Sequence, residues 1–288
     1  MRFGVHCRLW TTSWTRADLG LLDRASALGF AVLEINLGTL EQIDPPAIRG
    51  RAEQVGLEVI GTIALGHGQG LATSDGATRR RTVAHLAAAV KAVRDMGSHL
   101  LGGMLYAVPG QFSGRGPTEG ELSWLAEGLQ EVAAYARGCE VSLAIEPVNR
   151  YETYLINTAA QAQAVIDRIG APNVGLLLDT YHMNIEERGV AATLLRHAAG
   201  LRHLHLNESD RGSLGGGNID WPSVFRAIVQ AEYGGIASIE VFGGPSPRAP
   251  SITPIWRPLF ASPDHMAREG LAFLSTQLES ANNSPRQP

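Results

Sequence analysis

The sequence predicts an α/β fold in which eight parallel strands, each followed by a helix, close into a single (β/α)8 barrel. Two observations lead there. Short β-rich runs alternate eight times with longer helical patterns along the 288 residues, with no linker or charge block between them. In the last four strands, Glu146, Asp179, His203, His205 and Glu240 all fall on one side of the period-2 alternation, the side a closed barrel turns inward. The competing architecture, a doubly wound open sheet, would carry a Gly-rich turn after the first strand. That turn here reads Cys7-Arg8-Leu9-Trp10.

In chain order, the first strand is expected over 2–7, with a helical stretch at 16–28. The second strand, 30–36, leads to a helix at 45–55, and the third, 57–64, to one at 77–96 behind Ser74-Asp75. The fourth, 99–106, precedes a helix at 118–137, where Thr118 and Glu121 have capping-box spacing. The fifth, 141–148, precedes a helix at 158–169 that opens on Asn157-Thr158. Such short polar side chains accept hydrogen bonds from the free N–H groups of a first turn. The sixth and seventh strands, 174–182 and 201–208, lead to helices at 189–199 and 222–232. The eighth, 236–242, is followed by a last helix near 263–280. One catalytic domain over 1–280 results, and 281–288 (Ala-Asn-Asn-Ser-Pro-Arg-Gln-Pro) reads as a disordered tail.

Composition excludes several functions. The chain has 24 basic and 28 acidic side chains, a net charge of −4, which lacks the electrostatic footprint of a nucleic-acid binder. Lys91 is the one lysine, and it lies on an expected surface helix, so Schiff-base and pyridoxal chemistry is excluded. Cys7 and Cys139 cannot form a disulfide framework, which points to a reducing, cytoplasmic setting. The N-terminus, Met-Arg-Phe-Gly-Val-His-Cys-Arg, has no apolar h-region, and no apolar run approaches the ~18 residues of a membrane span.

The inward parity selects the candidate site. Leu143 and Ile145 are expected to face the helices, leaving Ser142, Ala144 and Glu146 inside. The same count puts Gly175, Leu177 and Asp179 inside in the sixth strand. It also puts His203 and His205 inside in the seventh, and Ser238 and Glu240 in the eighth. Glu146, Asp179, His205 and Glu240 thus sit at the carboxyl ends of four consecutive strands, where barrel active sites lie. A lone acid there is usually solvated or salt-bridged. Three carboxylates and an imidazole converging in one cavity repel one another and resist desolvation, and a divalent cation removes both penalties. The oxygen-rich set suits Mn²⁺, Mg²⁺ or Co²⁺. His182, at the exit of the sixth strand, and Arg211, in the loop after the seventh, become candidates to bind substrate oxygens. Glu152 offers a further polar anchor, and Trp14 and Phe242 offer apolar walls. His6 and Glu34 also point inward, where core hydrogen bonding explains either equally well. Gly215-Gly216-Gly217 could cradle a phosphate, but no helix starts directly behind it.

These residues resemble the ketose 3-epimerases of the xylose-isomerase-like TIM-barrel superfamily: the D-tagatose, D-allulose (psicose) and L-ribulose 3-epimerases. The resemblance is carried by Ile145-Glu146-Pro147-Val148-Asn149-Arg150-Tyr151-Glu152-Thr153, by Leu178-Asp179-Thr180-Tyr181-His182-Met183-Asn184 and by His205-Leu206-Asn207-Glu208-Ser209-Asp210-Arg211-Gly212. Asn218-Ile219-Asp220-Trp221, Ile239-Glu240-Val241-Phe242 and Ile255-Trp256-Arg257 extend it over nearly the whole chain. It implies an isomerase that inverts C3 of free ketoses, such as D-tagatose, D-fructose or D-allulose and L-ribulose, through a metal-stabilised enediolate. One divalent metal per subunit, Mn²⁺ before Co²⁺ or Mg²⁺, would be held by Glu146, Asp179, His205 and Glu240. Glu146 and Glu240 would double as the acid/bases. Glu152, His182 and Arg211 would hold the O1–O3 end of the sugar, with Trp14, Phe242 and His6 lining the pocket. The resemblance also implies a homodimer or homotetramer. His6 stands where relatives often carry an aromatic, and Val108 where they often place Trp before a proline. An aldose–ketose isomerase of the hydroxypyruvate type, or a sugar dehydratase, shares this barrel. A DNA-repair endonuclease of the same superfamily would need more histidines and a basic groove. A non-enzymatic sugar-binding module would have no use for two facing glutamates on a metal.

Overall fold

The computed structural model describes residues 1–243 and 255–284. Eight parallel strands form a closed barrel in the order β1 to β8. They are β1 (Arg2–His6), β2 (Val32–Asn36), β3 (Glu58–Thr62), β4 (Leu100–Gly103), β5 (Ser142–Ile145), β6 (Val174–Asp179), β7 (Leu201–His205) and β8 (Ile236–Ile239). Closure is made by β1 against β8, with Arg2 opposite Ile236 and Val5 opposite Ile239. Apart from β2, which ends at Asn36 as expected, the strands stop short of the expected runs at their carboxyl ends. There the chain leaves the ladder to build the mouth of the barrel, so Glu146 and Glu240 each stand one residue past a strand.

Parity sorts the apolar residues into two cores. Val32, Ile60, Leu100, Ala144, Leu177 and Ile236 form a small apolar plug inside the barrel. Gly102 on β4 leaves room for it, because a Cβ there would come within 2.9 Å of Leu177 Cδ1. The larger core lies between strands and helices and takes up Leu143, Ile145, Leu176, Leu178, Leu204, Leu206, Ile239 and Val241, the residues expected to face outward. Each such side chain contributes roughly 1.5–3 kcal/mol by leaving water. The apolar plug thus closes the bottom of the barrel, and the polar cluster lies toward its carboxyl end.

The helices are α1 (Leu21–Ala27), α2 (Pro45–Val55), α3 (Gly76–Asp95), α4 (Glu119–Gly138), α5 (Ala159–Ile169), α6 (Thr180–Glu186), α7 (Val190–His197), α8 (Trp221–Gln230) and α9 (Pro263–Asn282). Asp75 caps α3, and capping boxes close the starts of α4 (Thr118 with Glu121) and α5 (Thr158 with Gln161). The stretch expected as one helix over 16–28 is a 3-10 segment, Arg16–Gly20, running into α1. Lys91 is exposed on α3 and pairs with Asp95 one turn on.

Two further expectations change. The sixth strand ends at Asp179 rather than 182, because the Asp179 carboxylate accepts the N–H of Tyr181 and starts α6 as its N-cap. His182 thus rides on a helix. α9 runs through Asn282, past the boundary expected at 280. Of the expected tail, residues 285–288 lie outside the described residues. Among the described residues no helix is long and apolar enough to cross a membrane.

Candidate active site

Glu146, Asp179, His205 and Glu240 converge at the carboxyl end of the barrel, with one ligand atom of each within 4.8 Å of the others. His205 Nδ1 is 3.4 Å from Glu146 Oε1 and 3.6 Å from Glu240 Oε2. Both His205 Nδ1 and Glu146 Oε1 are buried without a hydrogen-bond partner. Buried polar atoms are rarely left so, and here two of them face each other. A cation between them would satisfy both, and the oxygen-rich donor set with one imidazole fits a divalent metal.

The electrostatics say the same. Burial, together with the neighbouring Glu240 and Glu146, pushes the Asp179 carboxyl up to about 7. Burial also raises Glu146 above the ordinary carboxylate range. Burial alone would raise Glu240 too, but His205 and Arg211 outweigh it and hold that carboxyl low. For His205, burial opposes protonation, yet Glu34 and Glu240 outweigh it and drive the imidazole well above its ordinary value. The cluster draws in positive charge wherever it can. Metal binding would displace those protons.

Behind His205 stands Glu34 on β2. Its carboxylate takes His205 Nε2 on one oxygen and His203 Nε2 on the other, each at 2.9 Å. The other ring nitrogen of His203, Nδ1, reaches the Ile236 carbonyl at 3.0 Å. The core hydrogen bonding expected of Glu34 is thus directed at the cluster itself.

Arg211 crosses the mouth. Its Nη2 donates to Glu240 Oε2 at 3.2 Å and to Asp179 Oδ2 at 3.4 Å. Its guanidinium lies between two rings, 4.2 Å from the Tyr181 centroid and 4.7 Å from that of Phe242. Nε and Nη1 remain buried and unpartnered, and the backbone is left-handed at φ +57°, an arrangement that clusters at functional sites. His182 is buried; burial and the Arg211 charge hold its pKa well below the ordinary value, so the ring is neutral. Its Nδ1 accepts the Asn149 backbone N–H at 3.1 Å. Its Nε2 meets Arg211 Nη2 at 3.3 Å and lies 3.7 Å from Asp179 and 3.8 Å from Glu146. Glu152 is buried, accepts from Asn149 Nδ2 at 3.0 Å, and is raised by burial.

His6 stacks edge-on against His205, 6.3 Å between centroids, and its Nε2 meets Thr62 Oγ1 at 2.9 Å. Burial lowers its pKa to about 4. Trp14 is packed in the larger apolar core. The glycine triplet does not offer its amides to a phosphate. Gly215 N–H donates to Glu208 Oε2, and a Cβ on Gly217 would lie 2.5 Å from Glu208 Oε1. Glu208, fully buried, also takes N–H groups from Ser209, Ile219 and the Trp221 indole. Those glycines let the loop close over a carboxylate.

Three residues of the site escape sequence reasoning. Asn207 donates to both oxygens of Asp179 at 2.9 Å and accepts the Glu240 N–H at 2.9 Å, tying two of the four acids and imidazole together. Asn149 orients His182 and Glu152, and Tyr181 stacks on Arg211. All three lie inside the motifs quoted above, and Tyr181 and Asn207 share the inward parity of the expected runs 174–182 and 201–208, but a phenol or an amide lacks the charge that singles out an acid or imidazole.

Fold and site together define a barrel enzyme whose centre could hold one divalent cation. The sequence matches the family model for xylose isomerase-like TIM barrels over residues 22–277. The L-ribulose 3-epimerase of Mesorhizobium japonicum is 35% identical, over 97% of this chain and 95% of that protein. A probable ketose 3-epimerase of Synechocystis is 31% identical, over 95% and 96%. A solved L-ribulose 3-epimerase superposes with a TM-score of 0.91 at 32% identity, covering 100% of this chain and 99% of that one. The D-allulose 3-epimerase of Methylomonas, in complex with D-allulose, gives 0.91 at 29%, covering 96% and 97%. The chain belongs to the ketose 3-epimerase family within those barrels, and it is an isomerase of the racemase and epimerase class acting on carbohydrate.

Proposed function

We propose that the protein inverts C3 of a free ketose, a ketohexose or ketopentose of the D-tagatose, D-fructose/D-allulose or L-ribulose kind. The observation that carries the reading is a pair of buried glutamates, Glu146 and Glu240, reaching one imidazole nitrogen from strands three apart in a ring of eight. Inversion needs a proton removed from one face of C3 and another returned to the opposite face, and two such carboxylates suit that task.

Glu146, Asp179, His205 and Glu240 would hold the cation, Mn²⁺ in this reading with Co²⁺ or Mg²⁺ as substitutes. When bound, it supplies the positive charge that polarises the C2 carbonyl. Arg211, with two free buried donors, His182 and Glu152 hold the O1–O3 end of the sugar. One glutamate takes the C3 proton while Arg211 faces the negative charge that spreads onto the substrate oxygens. The other delivers a proton to the far side of C3. Tyr181 and Phe242 hold the guanidinium in place and exclude water from it. Trp14 and Phe242 supply apolar walls, and His6 shapes the pocket. The working enzyme is cytoplasmic, a homodimer or homotetramer, with 1–280 as the catalytic domain.

Epimerisation in D₂O tests the reaction. Deuterium is expected at C3 of the product, and chelator treatment is expected to stop turnover until Mn²⁺ or Co²⁺ is returned. Full activity of the metal-free protein, or label only at C1, overturns the reading. Turnover across a panel of ketoses then identifies the sugar.

A further inference from the structure

We propose that Glu34 is a positioning residue for the metal centre. By accepting a hydrogen bond from His205 Nε2, its carboxylate leaves Nδ1 as the bare lone pair turned toward Glu146 and Glu240. The inference rests on the metal reading of the four-residue cluster, and it does not depend on the reaction carried out there.

A neutral imidazole has one N–H and one lone pair, and which nitrogen carries the proton is decided by the partner of the other. A carboxylate can only accept. Glu34 Oε1 is 2.9 Å from His205 Nε2, so the proton of the ligating form is on Nε2. Nδ1 has no hydrogen-bond partner, and it lies 3.4 Å from Glu146 and 3.6 Å from Glu240. The ring is also fixed in rotation. His6 packs edge-on at 6.3 Å on one side and His203 at 4.9 Å on the other.

Glu34 is itself held. It is fully buried, and its second oxygen meets His203 Nε2 at 2.9 Å. His203 has no other freedom, because Nδ1 is committed to the Ile236 carbonyl. Strands β2, β7 and β8 therefore share one chain of contacts that ends at His205 Nδ1. A carboxylate behind a ligating imidazole raises its basicity and sets its direction, and losing such a partner lowers metal affinity by about 10–100-fold.

The Glu34→Gln variant preserves the shape. Its amide oxygen can accept from His205 Nε2, and its amide N–H can donate to His203 Nε2 once that nitrogen gives up its proton, so both contacts persist without the carboxylate charge. Glu34→Leu removes the acceptor as well. In chelator-stripped protein, calorimetric titration with Mn²⁺ is expected to give a Kd about 10–100-fold higher for both variants, with the larger loss in Glu34→Leu. Nitrogen-15 spectra of the histidine rings in the Mg²⁺-loaded wild type are expected to show His205 protonated at Nε2. An Nδ1-protonated ring in that wild type overturns the proposal, even if neither variant folds. So does a variant that melts earlier yet binds Mn²⁺ as the wild type does, because Glu34 would then be structural only. A wild type that binds no divalent cation overturns it together with the metal reading. Glu34-dependent Mn²⁺ binding in a protein that inverts no ketose supports this inference and discards the proposed reaction.

Discussion

His205 belongs to two clusters of buried acid and imidazole, one on each side of its ring. On the Nε2 side, a single carboxylate, Glu34, faces two imidazoles, and both its oxygens are hydrogen-bonded. On the Nδ1 side, three carboxylates share that one imidazole, with Arg211 the nearest other cation among the described residues, and two polar atoms face each other unsatisfied. Depth does not distinguish them, since Glu34 and Asp179 are both fully buried. Charge balance does. A buried acid with its counter-charge and hydrogen bonds in place is part of the scaffold. A buried set with excess negative charge stores a demand for a ligand.

The largest effect expected from this difference is on turnover. Glu146→Gln and Glu240→Gln are each expected to lower kcat by about 10²–10⁴-fold, the range for loss of a general acid or base. Steady-state kinetics at saturating Mn²⁺ would check it, and a variant retaining most of its activity would remove that glutamate from the reaction. Stability is expected to respond with opposite signs on the two sides. His203→Leu strips Glu34 of one partner in a dry site and is expected to destabilise the fold by about 3–5 kcal/mol. Glu146→Gln removes repulsion from the over-charged side and is expected to stabilise the metal-stripped protein by about 1–2 kcal/mol, the sign typical of sites strained for function. Urea unfolding with chelator present measures both. Destabilisation of similar size by each would break the distinction.

The smallest effect lies outside both clusters, at Glu121. Hydrogen bonds from Arg115 first, then from Thr118 and the Tyr154 hydroxyl, hold its carboxyl down to about 2. The unfolded value is about 4.3, so this contribution is fully present above that pH and is lost as pH falls toward 2. Glu121→Gln is expected to cost about 1 kcal/mol at pH 7 and almost nothing near pH 2. Chemical denaturation of both proteins at the two pH values reads the difference. An equal cost at both would mean that shape, not charge, holds that helix start.

The three acids and one imidazole of the centre were legible because two rules converge on them. Period-2 alternation places Glu146, Asp179, His205 and Glu240 inward, and four consecutive strands of a closed ring bring their ends together. Glu34 obeys the same alternation, yet its partners are 169 and 171 residues away in sequence, so nothing local tells a core acid from one that holds a ligating histidine. Asn207 was invisible for a different reason. It lies on the inward parity of the expected run 201–208, but a neutral amide gives no charge signal, and only the closed barrel brings it against Asp179 and the Glu240 N–H. His182 was found as a residue but misplaced as an element, because a β-rich run does not reveal that the last side chain of a strand can cap the next helix.

Local patterning alone thus determined the barrel, its order of elements and the identity of the charged set at its mouth, because strand parity and strand order are short-range properties of the chain. The tertiary structure decided which of those charges are already balanced, which nitrogen of His205 is left bare, and that the glycine triplet closes over Glu208 rather than waiting for a phosphate. Those outcomes depend on distances of about 3 Å between residues from different strands and loops, where hydrogen bonds and Coulomb interactions in a dry interior are settled.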